Sequence, residues 1–262
     1  MIATDMDGTL LSSTYKISAK NREALQEAAR RGIHVTLATG RMYASALPYA
    51  KELGIDAPLV TYNGALVKTV TGKELFSSCL EPTTVQDIIR FCLAQGFYTQ
   101  CYADDVLCFV EHSEKARAYE KMSGVLGKAI GKEGMLAPHK NVYKVLVITD
   151  NAEETALRVA QLSERFGDRV DVTRSSATFV EIIAKGTSKA AALTRLASHW
   201  GLSMQDALCL GDSYNDVPML KAAGLGVAMR NALPEIQQAA KHVTGTADAD
   251  GVAEAIWRWA LA

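Results

Sequence analysis

The chain has little that would place it outside a cell, in a membrane or on nucleic acid. Its five cysteines (Cys79, Cys92, Cys101, Cys108, Cys209) are odd in number and form no Cys-x-x-Cys pair. They read as reduced, mostly buried thiols of a cytoplasmic protein. None has an arginine six positions later, which excludes a cysteine-nucleophile phosphate loop. No apolar run approaches the ~20 residues that cross a bilayer. Asp5 and Asp7 interrupt the start, so it does not serve as a secretory apolar segment. Charge of one sign is also missing: 28 basic residues face 29 acidic ones, without blocks, for a net charge of -1. Nucleic-acid backbones demand a clustered basic surface, so they are excluded as partners. The five histidines are scattered with no metal-ligand spacing. No internal repeat or low-complexity stretch is present.

What the chain does have is core-forming residues in periodic runs: 262 residues, 48% of them hydrophobic, enough for one or two domains. Residues 1–80 alternate short apolar strands with amphipathic helices, the pattern of a parallel α/β sheet. Strands are expected at 2–4, 33–38 and 59–61. One helix runs from the N-cap Ser18 to Arg31 before Gly32, and another reaches about Leu53 with Pro48 in or near its first turns. Turns at Asn63-Gly64 and Thr71-Gly72 suggest hairpins. From Glu81-Pro82 the rhythm changes to strand pairs mixed with helices, an α+β unit over 81–184 inserted into the first domain. The parallel pattern resumes over 185–262, with a helix over 188–200, strands at 207–210 and 225–228, and a last helix ending near Trp257.

Four polar clusters fall where strands end or helices begin. Asp5 and Asp7 follow strand one; Thr39-Gly40-Arg41 follow strand two; Gly211-Asp212-Ser213-Tyr214-Asn215-Asp216 follow the 207–210 strand; Gly186-Thr187-Ser188-Lys189 opens a helix. In open α/β sheets, ligands bind at the carboxyl ends of strands near a reversal of strand order. Each cluster has a plainer interpretation: a tight turn at Asp7-Gly8, a hydroxyl cap at Thr39, helix caps at Asp212 and Asp216, a solvated lysine at 189. A cation at a helix N-terminus opposes the macrodipole, so Lys189 makes better sense beside an anion. All four plain interpretations must hold together to dismiss a shared site. Gly127 to Lys132 approaches a phosphate loop but is one residue short and lacks the hydroxyl after its lysine. A calcium loop fails because Gly8 comes too early after Asp5.

With DMDGTLL (5–11), ATGR (38–41), Lys189 in GTSK, GDSYND (211–216) and Tyr62-Asn63-Gly64-Ala65 in that order, the chain resembles the haloacid dehalogenase-like phosphatases over its whole length. Within them it resembles the Cof-type hydrolases with a type IIB cap. The resemblance implies a Rossmann-like parallel-sheet core (1–80 and 185–262) and an inserted α+β cap (81–184) that excludes water and selects substrate. Four acids around a phosphate dianion repel by roughly 4 kcal/mol per pair at ~4 Å. One lysine does not offset this, and oxygen-only ligands favour Mg²⁺. The resemblance implies Asp5, the Asp7 carbonyl and Asp212 as metal ligands with Asp216 in support. It also implies Asp5 as nucleophile, Asp7 as general acid and base, and Met6, Thr39, Gly40, Lys189 and Asn215 around the phosphoryl oxygens. Arg41, Asn63 and the Arg174-Ser175-Ser176 turn are candidates for substrate selection, with surface or turn roles as the alternative. The expected substrate is a small phosphorylated metabolite such as a sugar phosphate. A phosphomutase would give isomerised product without phosphate release. A phospho-acceptor signalling module would give a stable phospho-aspartate, although such modules are about half this length and have no lid.

Overall fold

The computed structural model of the chain describes residues 1–54 and 56–262. The chain divides into two compact units, one of residues 1–40, 46–76 and 188–262, the other of 41–45 and 77–187. Along the chain come β1 (Ile2–Thr4), α1 (Ala19–Arg30), β2 (Val35–Leu37), α2 (Tyr43–Leu53), β3 (Leu59–Thr61), β4 (Leu66–Lys68) and β5 (Glu74–Ser77). Next are α3 (Pro82–Ala94), β6 (Thr99–Ala103), β7 (Val106–Phe109), α4 (Glu114–Ser123), β8 (Lys128–Ala129) and α5 (Gly131–Leu136). Then β9 (Val142–Ile148), α6 (Ala152–Phe166), β10 (Val170–Arg174), β11 (Phe179–Ala184) and α7 (Lys189–His199). The chain closes with β12 (Leu208–Gly211), α8 (Val217–Ala222), β13 (Leu225–Ala228), α9 (Pro234–Ala239), β14 (His242–Val243) and α10 (Gly251–Trp259).

The first unit is built on a five-stranded parallel sheet in the order β14-β13-β12-β1-β2. A parallel bridge from Ala38 to Val60 leads on to β3, which forms an antiparallel three-stranded sheet with β4 and β5. From β1 the chain moves outward to β2; it returns at β12 on the other flank of β1. Strand order therefore reverses at β1, and its carboxyl end lies beside that of β12. Ala3, Cys209, Leu193, Leu196 and Met219 share one apolar core with α7 and α8, while alternate residues Ile2, Leu208 and Leu210 face the other side. α1 forms because the Ser18 hydroxyl accepts from the Asn21 amide and Ala24, Leu25 and Ala28 recur on one buried face; it stops before Gly32 (φ 82°). β2 is shorter than the expected 33–38, since Ala38 has already turned to Val60.

The second unit carries a six-stranded sheet, β10-β11-β9-β6-β7-β8, antiparallel except for the short β7–β8 pair. The β6–β7 hairpin turns through Asp104 and Asp105, both left-handed (φ 52° and 61°), as a two-residue hairpin loop demands. One sheet face joins Ile88, Ile89, Met135, Leu162 and Phe166 of α3, α5 and α6 in a single core with Val145, Val147 and Ile182. The opposite face is polar yet buried: Lys144 Nζ meets Glu181 Oε1 at 2.6 Å, at 1% and 2% exposure. Tyr102 lies under that ammonium, 4.8 Å from ring centre to Nζ. The segment that superficially resembles a phosphate loop, 127–132, is β8 and the start of α5. All five cysteines are free; Cys79 is half-buried and the other four are buried.

Candidate active site

β1 ends at Thr4, and Asp5 is held at the sheet's reversal point because its amide donates to the Leu210 carbonyl of β12 (2.9 Å). The chain then folds back sharply: the Met6 carbonyl accepts from the amides of Thr9 (3.3 Å) and Leu11 (2.8 Å). Gly8 makes this possible with φ 76° and with no side chain where a Cβ would overlap the Asp212 carboxylate. Thr9 Oγ1 donates to Asp212 Oδ1 at 2.8 Å, tying the loop after β1 to the loop after β12. Asp7 is exposed at the rim, yet its charge reaches both Asp5 and Asp212. Met6 is fully buried, so its backbone alone can serve a ligand.

Lys189, the first residue of α7, is fully buried between two acids: Nζ to Asp5 Oδ1 at 2.5 Å and to Asp216 Oδ1 at 2.7 Å. Asp216 does not cap α8; its second oxygen, Oδ2, accepts the amides of Asp212 and Ser213, each at 3.0 Å. It braces the 211–216 loop and the lysine together. Burial is the largest influence on Lys189 and pulls its pKa down, but the two carboxylates reverse this and hold the ammonium charged, above its ordinary range. Burial pushes the Asp5 carboxyl well up despite Lys189. Asp212 is pushed up to about 7, first by burial and then by Asp216. Carboxylate oxygens of Asp5, Asp212 and Asp216 lie within 4.8 Å of one another, the only such cluster of potential metal ligands among the described residues. An all-oxygen donor set with more buried negative charge than one lysine offsets fits a hard divalent cation. Because Asp216 is already engaged by Lys189 and two amides, Asp5 and Asp212 are the better placed side-chain ligands.

Thr39 and Asn215 are drawn in through residue 63. The Asn63 amide donates to the Thr39 carbonyl (3.0 Å), and Asn215 Nδ2 donates to Asn63 Oδ1 (2.9 Å), with all three residues buried. Gly40 follows at the end of the same loop. Arg41, Arg174, Ser175 and Ser176 belong to the second unit. There the buried Arg41 guanidinium donates to Ser45 Oγ (3.0 Å), which donates to the Ser123 carbonyl (2.5 Å). Arg174 ends β10, and Ser176 is exposed, its hydroxyl accepting from the Thr178 amide as a turn residue does. Two histidines stack on aromatic rings, His34 on Trp200 and His242 on Trp259. Two supports were invisible in the sequence. Thr9 was seen only as part of its motif, and Asn231, whose side chain donates to the Gly8 carbonyl (2.8 Å), sits in no motif at all.

Known proteins resemble this chain along nearly its whole length. Residues 2–256 match the model of the haloacid dehalogenase-like hydrolases. The chain is 32% identical to the 5-amino-6-(5-phospho-D-ribitylamino)uracil phosphatase YcsE of Bacillus subtilis, covering 100% of this chain and 96% of that protein. It is 30% identical to an HMP-PP phosphatase of Yersinia enterocolitica, over 99% and 94% of the two chains. A haloacid dehalogenase-like hydrolase of solved structure from Bacteroides thetaiotaomicron superposes with a TM-score of 0.86 at 29% identity, covering 98% of each. With a paired aspartate and lysine at the strand-order reversal, and with this match along nearly its full length, the chain belongs to the haloacid dehalogenase-like hydrolases.

Proposed function

We propose that the protein is a divalent-cation-dependent phosphatase, with Mg²⁺ the natural ion, that hydrolyses small phosphate monoesters through an aspartyl-phosphate on Asp5. The observation that carries this reading is the buried contact of Lys189 with Asp5 beside Asp212 and Asp216. Asp5, the Asp7 carbonyl and Asp212 would hold the cation. When bound, the ion neutralises the acids and the incoming phosphate and polarises the phosphoryl oxygens.

The Asp5 carboxylate attacks phosphorus, and the bond from phosphorus to the ester oxygen breaks as the new P–O bond forms. Asp7, at the exposed rim, gives its proton to the departing alkoxide. It then takes a proton from the water that attacks the aspartyl-phosphate, and phosphate leaves with the Asp5 carboxylate restored. Lys189 stays charged throughout and meets the negative charge that grows on the phosphoryl oxygens. Thr39, the Gly40 and Met6 backbone and Asn215 complete the cradle. Two relatives bear the names 5-amino-6-(5-phospho-D-ribitylamino)uracil phosphatase and HMP-PP phosphatase. This supports phosphorylated metabolites, sugar phosphates included, as the substrate class. Asp5→Asn should leave the fold unchanged by circular dichroism and abolish phosphate release from a panel of such esters with Mg²⁺. Retained turnover in that variant would refute the nucleophile.

A further inference from the structure

Residues 62–64 form a turn in which three successive residues are left-handed: Tyr62 (φ 52°), Asn63 (φ 57°) and Gly64 (φ 100°). Such a run is unfavourable for residues that carry a Cβ and persists only where the surroundings fix it. Here they do. The Asn63 amide is bound to Thr39, its side chain to Asn215, and Gly64 lies against the Ser188 carbonyl so closely that a Cβ would overlap it. One turn thus touches the segments that bear Thr39, Lys189 and Asn215.

The Asn215 amide is only half secured. Among the described residues its Nδ2 has a single partner, Asn63 Oδ1, and its buried Oδ1 has no hydrogen-bond partner. A half-turn of that amide exchanges a donor for an acceptor, and only the bond to Asn63 distinguishes the two orientations. In the wrong one, carbonyl lone pairs face a phosphate dianion. Building on the phosphatase reading, we infer that Asn63 is a positioning residue. Its side-chain carbonyl fixes the Asn215 amide so that the second N–H of Nδ2 is presented to the transferring phosphoryl group. Asn63 in this role acts through Asn215 and does not read the alcohol of the substrate.

A double-mutant cycle tests this, with orthovanadate as probe of the phosphoryl site and p-nitrophenyl phosphate plus two unrelated phosphate esters as substrates. Asn63→Gly removes the side chain while retaining a residue at ease with the left-handed backbone. Asn63→Gly and Asn215→Ala should each weaken vanadate inhibition about tenfold, the scale of a hydrogen bond to a charged group. The double variant should be no weaker than Asn215→Ala alone. kcat should fall by the same factor for all three esters, with KM nearly unchanged. Wild-type vanadate affinity in Asn63→Gly, additive losses in the double variant, or a reordered substrate preference would overturn the inference while leaving the phosphatase reading standing. No cation-dependent phosphate release by the wild-type protein from any ester would overturn that reading and this inference with it.

Discussion

At Lys189 one ammonium bridges two buried carboxylates that belong to different ends of the chain, Asp5 and Asp216. Its removal leaves both acids without their countercharge, a change that costs roughly 3–5 kcal/mol for a buried pair. It also removes a donor aimed at the reacting group, typically worth about 10²–10³ in kcat. Lys189→Ala should therefore lose both stability, read by urea unfolding, and about that factor of turnover, read by phosphate release. Asp5 and Lys189 were legible because each violates a local rule: acids at the end of a core strand, a cation at a helix N-terminus. Asp216 was only half legible. Its position suggested a helix cap, whereas its carboxylate binds Lys189 and the amides four and three residues before it, a geometry set by tertiary contacts. Asn231 was not legible, since its bond to Gly8 joins residues far apart in sequence and no pattern surrounds Asn231 itself.

Elements with strong periodicity and chemical ends emerged within a residue or two of their expected bounds. α1 and α7 each open on a side chain that accepts from a backbone amide, Ser18 and Ser188. β8 and α5 were missed because two residues of strand and six of helix are too short to show a period. The polar face of the second sheet was also hidden, because an alternation of Gln100, Tyr102, Lys144 and Glu181 reads as solvent-facing until burial is known. The Lys144–Glu181 pair predicts a specific asymmetry. Lys144→Met alone strands a buried carboxylate and should lower unfolding free energy by about 3–5 kcal/mol, while Lys144→Met with Glu181→Leu should recover most of the loss. Denaturant melts of the three proteins measure this directly.

On the scale of the whole molecule, acids held above their unfolded pKa link stability to pH and cation. Asp212, at about 7, and Asp5, shifted the same way, bind more protons folded than unfolded once pH exceeds the ordinary carboxylate value. The contribution of these two acids to stability without metal is thus fully present at low pH and lost as pH rises through the folded pKa. The thermal midpoint in chelator should fall by about 5 °C between about pH 5 and pH 8, at roughly 2–4 °C per kcal/mol for a chain of this size. Mg²⁺ at millimolar concentration should restore it at the higher pH and do little at the lower, where protons already occupy the site. An unchanged midpoint across that range in chelator would show that the buried acids are not the governing charges.

The pairing of β1 with β12, Ile2 opposite Leu208, also bears on how the protein is made. During synthesis the first strand leaves the ribosome with β2 available on one side and, for some two hundred further residues, nothing to pair with on the other. A parallel ladder closed over so much intervening chain is slow to assemble, and until then the nascent polypeptide carries an open apolar edge. Truncated translation products ending before β12 are therefore natural clients for chaperones and proteolysis, and they lack Asp212, Asn215 and Asp216.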